Sequence, residues 1–441
     1  MSAYIWFEIK RKIKNPKTWF LIVLILIMSF QRISYYTAES TKKSFKDAYD
    51  EHRKFLEGSG NRLLEEYKSG PKEDKNSAKL LKNIGTEIEV LARKEEYTEI
   101  NRILSFGYLI QAKAEVQTER ELIREKFNEN AIKIWDDVSN GIKYEDVVFK
   151  FGDKLPSAKG YIYFQMLSRY HQLLYLNGLN EIDRYHVDSM TFFYHYFNDI
   201  VPIVIGFIVL ILIFDNINDE WSNGSLKLVL TQPFSRNQYI ISKIIVGVLY
   251  TLFILFVPAL IISIGFGIID GFKNYNYPVL YLEDGFHTLN PLPNYLQRDF
   301  ELNGWNYAIG ISDYSNIYDM TSSPSERMIL IPLYKFILLS LLLLTLCIIF
   351  YVTLNLFISS MTKNKIIAFT ISGLITLIGT IYSQQWVIGD KYNLSPFTMN
   401  NPVKILNGTY NVTALAATII LLGTSLLIFI CNSLYYGKKD L

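Results

Sequence analysis

IIVGVLYTLFILFVPALIISIGFGII, residues 244–269, contains no charged side chain. A spanning helix needs about 20 mainly apolar residues, because each rises about 1.5 Å through a hydrocarbon core about 30 Å thick. The run meets that length unaided, and a helix apolar on every face belongs in a bilayer or a deep core rather than on a soluble surface.

Three comparable runs follow, at 336–362, at 366–389 and within 405–437. Two shorter ones precede it. Residues 200–214 are bounded by Asp199 and Asp215, and Phe193, Tyr194, Tyr196 and Phe197 extend that run through an interface. Residues 19–30 lie between Lys17 and Arg32, whose long side chains reach the headgroups by snorkelling. A basic segment before about a dozen apolar residues also fits a cleavable signal, yet QRISYYTAES at 31–40 offers no clear small-x-small site. An uncleaved first span is therefore expected, making six.

The basic residues of short loops orient the spans. Lys10, Arg11, Lys12, Lys14 and Lys17 precede span 1; Lys227, Arg236 and Lys243 lie between spans 2 and 3; Lys363 and Lys365 separate spans 4 and 5; Lys438 and Lys439 follow span 6. Six spans put all four clusters on one side, the cytoplasm by this rule. The expected layout is a cytoplasmic segment 1–17, span 1 over 18–36, an extracellular helical domain over 37–196, span 2 over 197–214 and a cytoplasmic loop 215–243. Span 3 over 244–269, an extracellular loop 270–331 and spans 4 to 6 within 332–441 complete it. The fold class is an all-α polytopic membrane protein with a mainly helical insertion between its first two spans.

Composition agrees: hydrophobic residues are 50% of the chain and aromatic ones 15%, despite a charged first half. The net charge of +2, from 44 basic and 42 acidic residues, gives no reason to expect nucleic-acid binding. Cys347 and Cys431 fall inside apolar runs, against a disulfide framework. His52, His171, His186, His195 and His287 are scattered, not set at the spacing of a zinc helix, and no metal site is expected.

In the insertion, Ile84, Ile88 and Leu91 have helical spacing, as do Val116, Ile123, Phe127, Ile134 and Val138. Another helix is expected from about Ser157 to the Asn177-Gly178 pair. Gly58-Ser59-Gly60 and Ser69-Gly70-Pro71 read as breaks. Tyr161, Phe164, Tyr185, Phe192, Phe193 and Tyr194 belong to an aromatic cluster before span 2, expected to form a collar at the membrane and a place to receive an amphipathic substrate.

The spans carry almost no ionisable residue, so ion-coupling machinery is not in evidence, and no G-x-x-x-x-G-K-[ST] loop is present to cradle nucleotide phosphates. Energy for uphill transport would come from another polypeptide. NDEWSNGSLKLVLTQPFSRNQYIISK, residues 218–243, has the residue types for receiving it: Glu220 to complement a helix start, Gly224 for close approach, Ser225, Leu226 and Leu228 to dock, Pro233 to end the element, then Ser235, Arg236 and Lys243. The order E-x-x-x-G-S-L-x-L, P-x-S-R and a lysine entering the next span resembles the second-to-third-span loop of type-2 ATP-binding-cassette (ABC) permeases. That resemblance covers 220–243 in motif and the whole chain in layout. It implies that the loop is a coupling helix seated in a groove of a separate ABC-type ATPase subunit, which holds the Mg-ATP; no cofactor is expected on this chain itself. Residues 1–17 would match the family's connector helix on the inner leaflet. Their own pattern agrees, with Ile5, Trp6, Ile9 and Ile13 on an apolar stripe and Lys10, Arg11 and Lys14 elsewhere.

The expected function is the non-catalytic permease subunit of an ATP-driven exporter in a bacterial plasma membrane, paired with a second permease as homo- or heterodimer. Its substrate would be an amphipathic or hydrophobic peptide, toxin or drug. The alternative is a non-transporting sensor or binding protein with a helical outer domain.

Overall fold

The computed structural model describes residues 2–40, 45–117, 121–149, 160–222, 235–291, 309–312, 327–384 and 394–438. Six of its helices are long and apolar enough to cross a membrane: Pro16–Ser40, Thr191–Glu220, Arg236–Asp270, Leu333–Met361, Lys365–Tyr382 and Ala414–Tyr435, here spans 1 to 6. They make the chain an all-α polytopic membrane protein. Phe20, Ile27 and Phe30 of span 1 and Ile366, Leu374 and Ile381 of span 5 stay exposed on the protein, as lipid-facing side chains must.

The two short runs become full spans by different means. Span 1 is one continuous helix through Arg32 and Tyr36 to Ser40. Span 2 uses its aromatic lead as expected: a turn over Thr191–His195, a π-helical turn over Tyr196–Ile200, the helix Val201–Ile213 and a last piece, Asn216–Ser222. Pro202 sits where the π turn ends, so its missing N–H falls at a helix start. Carbonyls loosened there find asparagines: Asn401 Nδ2 donates to Asn198 O and Asn400 Nδ2 to Pro202 O, each at 2.9 Å. Pro258 lies inside span 3, and Tyr196 Oη donates to Leu255 O, three residues earlier, at 2.7 Å.

Span 3 begins at a capping box, in which the Ser235 hydroxyl accepts from Gln238 N and the Gln238 side chain accepts from Ser235 N. Gly271, at φ +78°, ends it in the left-handed conformation. Spans 2, 3 and 4 form the bundle core, and Gly247 lets span 3 close on Val352 and Ile213.

The insertion is a helical domain of Phe45–Glu66, Lys72–Arg93, Tyr97–Val116, Glu121–Val138 and Gly160–Asn177. Its middle helix is buried nearly all round from Ile100 to Val116 and forms the axis. Ile84, Ile88, Phe127, Ile134 and Val138 face inward as their spacing predicts, and the last helix ends at Asn177 before Gly178 at φ +62°. Two expectations change. Val116 closes the axial helix and is not part of the Glu121–Val138 stripe. Gly58-Ser59-Gly60 lies inside Phe45–Glu66 and breaks nothing: a Cβ on Gly60 would sit 2.6 Å from Lys82 N, so the glycine serves close helix crossing. Ser69-Gly70-Pro71 does separate two helices.

The 270–331 segment, expected as a loop, holds a short ribbon. β1 (Pro278–Leu282) pairs antiparallel with β2 (Met328–Pro332), Leu280 opposite Leu330. Tyr170 and Tyr277 share a hydrogen bond between their hydroxyls, tying the ribbon to the domain.

Candidate functional site

The loop expected to receive an ATPase is framed by described residues on both sides, while Gly224, Ser225, Leu226, Leu228 and Pro233 lie outside the described residues. On the near side, the sequence DNINDE at 215–220 ends span 2 and is polar at almost every position. Each polar residue reaches a different element. Asp215 pairs with Lys17 of span 1 at 2.8 Å. Asn216 Oδ1 accepts from Lys12 Nζ of the N-terminal helix, Ser2–Ile13, at 2.5 Å. The Asn218 amide, oriented to donate, meets Ser359 O at 3.0 Å and Thr362 O at 2.5 Å at the end of span 4. Asp219 forms an ion pair with Lys365 at the start of span 5. Glu220 receives Lys243 Nζ and the Tyr239 hydroxyl from span 3.

Lys243 is the centre of this node. It is 1% exposed, and Glu8 of the N-terminal helix lies 3.5 Å away on its other side. Glu8 also accepts from Arg11 Nη2 at 2.8 Å. Two buried acids thus share one buried base, and the exposed Arg11 guanidinium adds its charge to Glu8 from outside. Tyr4 and Tyr239 bring their rings within 5.5 Å of the ammonium. Burial, with Lys243 adding repulsion, pushes the nearby Lys12 ammonium down to about 8.

Of the predicted loop residues, the fold brings Glu220 and Lys243 into contact and places Arg236 in the first turn of span 3. The N-terminal helix differs in detail from its expected stripe. Its inward face carries Glu8 with Ile5, Ile9, Lys12 and Ile13 partly covered, while Trp6, Lys10 and Arg11 point outward and Trp6 is 69% exposed. The reason is the node: Glu8 must meet Lys243, so Trp6 and Phe7 turn toward the surroundings, where an interface would take them. Glu8 was missed in the sequence, though it is the sole acidic residue before Glu39 in a basic segment.

The aromatic cluster does not gather in one collar. Tyr161 and Phe164 belong to the domain core, Tyr161 edge-on to Phe127 and Phe164 stacked on Phe55 at 5.4 Å. Phe192 and Tyr194 are buried in the bundle, Tyr194 against Phe336, and Phe193 is half-buried beside Phe197. Only Tyr185 stands at the junction of domain and spans, with Tyr35 and Tyr36. Arg32 lies over both of those rings, at 5.0 and 4.8 Å, and pairs with Asp199 at 3.4 Å.

Neither a curated protein nor a solved structure gives a significant match to the chain. The family model described as ABC-2 family transporter protein matches residues 3–427, nearly all of it and including both flanks of the node. Six spans, a polar node between the second and third, and that match together establish that the chain is a multi-pass membrane protein belonging to the ABC-2 transporter permease family.

Proposed function

We propose that the chain is the permease subunit of an ATP-driven exporter. A separate ABC-type ATPase subunit binds the Mg-ATP and docks on loop 220–243, and a second permease, identical or different, completes the pair. Both termini then lie in the cytoplasm, the N-terminal helix runs along the inner leaflet as a connector, and the helical domain stands outside.

One observation carries this reading: the six residues 215–220, at the mouth of the loop, touch the N-terminal helix and spans 1, 3, 4 and 5. A push on the loop cannot move span 2 alone, because the buried Glu220 and Lys243 pair carries span 3 with it and Glu8 carries the N-terminal helix. Breaking such a pair leaves an uncompensated buried charge, at a cost of about 3–5 kcal/mol, so the flanks move as a unit. Pro202 and Pro258 give spans 2 and 3 places to yield.

The substrate best suited is amphipathic or hydrophobic, a peptide, toxin or drug. The support is the junction of Tyr35, Tyr36, Tyr185 and Arg32, which combines aromatic faces with a cation at the outer end of span 1.

The test is purification of the tagged chain from its native membrane in mild detergent, with identification of what co-elutes. An ABC-type ATPase bound to the wild-type chain supports the reading. A chain that elutes without any ATPase, or with an outside ligand only, supports a sensor in its place.

A further inference from the structure

We propose that His52, His171 and Glu181 form a binding site for one divalent transition-metal ion of the zinc class, inside the helical domain. One ligand atom from each lies within 4.8 Å of the others. The three come from separate places in the chain: His52 on Phe45–Glu66, His171 on Gly160–Asn177, and Glu181 on the segment leading to span 2.

The hydrogen bonds around the cluster leave the inward atoms to serve as ligands. His171 Nδ1 is 3.0 Å from Asn101 Oδ1, and Asn101 Nδ2 donates to Leu179 O at 3.0 Å. The amide is thereby oriented, so Nδ1 carries the proton and Nε2 keeps its lone pair. His171 is wholly buried, and neither its Nε2 nor Glu181 Oε2 has a hydrogen-bond partner. Two buried acceptors left open together are costly unless something positive joins them. His52 Nδ1 meets the Tyr108 hydroxyl, and its Nε2 faces Glu181 Oε1 at 3.2 Å, again a nitrogen and a carboxylate oxygen that need a proton or a metal ion between them. Each histidine thus has one nitrogen held by a polar partner, while the other faces Glu181 in His52 and stays open in His171, leaving both to serve a metal ion. Tyr108 stacks on His171 at 5.7 Å and limits water access.

Two imidazoles and a carboxylate suit zinc, and also cobalt or nickel, far better than calcium or magnesium. A tetrahedral zinc ion with bonds of about 2.0–2.1 Å sets its ligand atoms about 3.4 Å apart. Separations up to 4.8 Å therefore close by up to about 1.4 Å on binding. Glu181 Oε2 or a water supplies the fourth position. The ion would clasp the helix that follows span 1 to the segment that precedes span 2, fastening the domain where it joins the membrane.

The experiment uses the full chain in detergent, stripped with a chelator and titrated with zinc against a chromophoric competitor, with metal counted by mass spectrometry and cobalt as a spectroscopic probe. The result expected is one ion per chain, a cobalt spectrum of low coordination number that zinc bleaches, and a melting temperature raised by zinc. His171→Ala and Glu181→Gln should each weaken binding about tenfold or more, with His287→Ala as wild type. If His171→Ala fails to fold, Glu181→Gln, which keeps volume, decides together with the wild-type cobalt spectrum. A folded wild-type chain that binds no ion, or equal affinity in Glu181→Gln and wild type, would overturn the site.

Discussion

Lys243 of span 3 and Glu220 at the end of span 2 form an ion pair in which neither side chain is more than 7% exposed. These residues are 23 positions apart and bracket the loop on which we propose that an ATPase docks. A buried pair is weak evidence of stability but strong evidence of linkage, since neither partner can leave without stranding the other. The facing ends of spans 2 and 3 are therefore held together at this point.

Glu220→Gln or Lys243→Met alone should destabilise the chain by about 3 kcal/mol, each leaving a buried charge. The double variant should cost clearly less than the two singles summed. Thermal unfolding in detergent closes the cycle. By contrast Lys17→Met removes a pair whose lysine is 49% exposed, and should cost less than about 1 kcal/mol. Additive effects at 220 and 243 would deny the linkage.

Two glycines of span 3 should respond oppositely to alanine. A Cβ at Gly247 would lie 2.8 Å from Val352 Cγ1 and 3.0 Å from Ile213 Cδ1, both on stiff, packed side chains, whereas one at Gly265 meets nothing within 4 Å. Gly247→Ala should cost about 1–3 kcal/mol through overpacking. Gly265→Ala should be neutral or stabilising by up to about 1 kcal/mol, from helix propensity alone. Melting temperatures of the two variants check this.

Asp188 caps the entry to span 2, accepting from Met190 N at 2.7 Å and Thr191 N at 2.8 Å. Burial raises its pKa, but hydrogen bonds from His186, the Thr191 and Met190 backbone and Asn274 outweigh it and bring the carboxyl to about 2. A depressed folded pKa means stability that is complete above the ordinary carboxylate pKa of 3.8 and is lost as pH falls toward about 2. Asp188→Asn should therefore cost about 2 kcal/mol at pH 7, with the gap to wild type narrowing below about pH 4. A gap that does not change with pH would mean the loss is only one of packing.

Much of the fold was legible because the bilayer imposes length and hydrophobicity on each span, and four spans announced themselves by uninterrupted apolar runs. Span 2 required its aromatic lead to be read as part of a helix, which Phe193, Tyr194, Tyr196 and Phe197 allowed. What local pattern could not supply was contact between distant segments. Nothing near Lys243 indicates that its partner is Glu8, 235 residues earlier. Nor does the spacing of His52, His171 and Glu181 suggest a cluster, because two helices and the segment before span 2 bring them together only in the fold. The Gly58-Ser59-Gly60 misreading has the same root: a glycine for a turn and a glycine for a helix crossing look alike until the facing residue, Lys82, is known. The ribbon at Pro278–Leu282 was hidden because its partner strand lies beyond a long polar stretch.

The central claim is that an ATPase engages the chain at the loop between spans 2 and 3. The most direct measurement places a photoreactive amino acid at Ser235, an exposed cap beside the loop, and another at the exposed Leu289, at the far end of the bundle, in native membranes. Irradiation should attach an ABC-type ATPase at position 235 and not at 289. Attachment of no ATPase at 235, or equal attachment at both positions, would contradict the account.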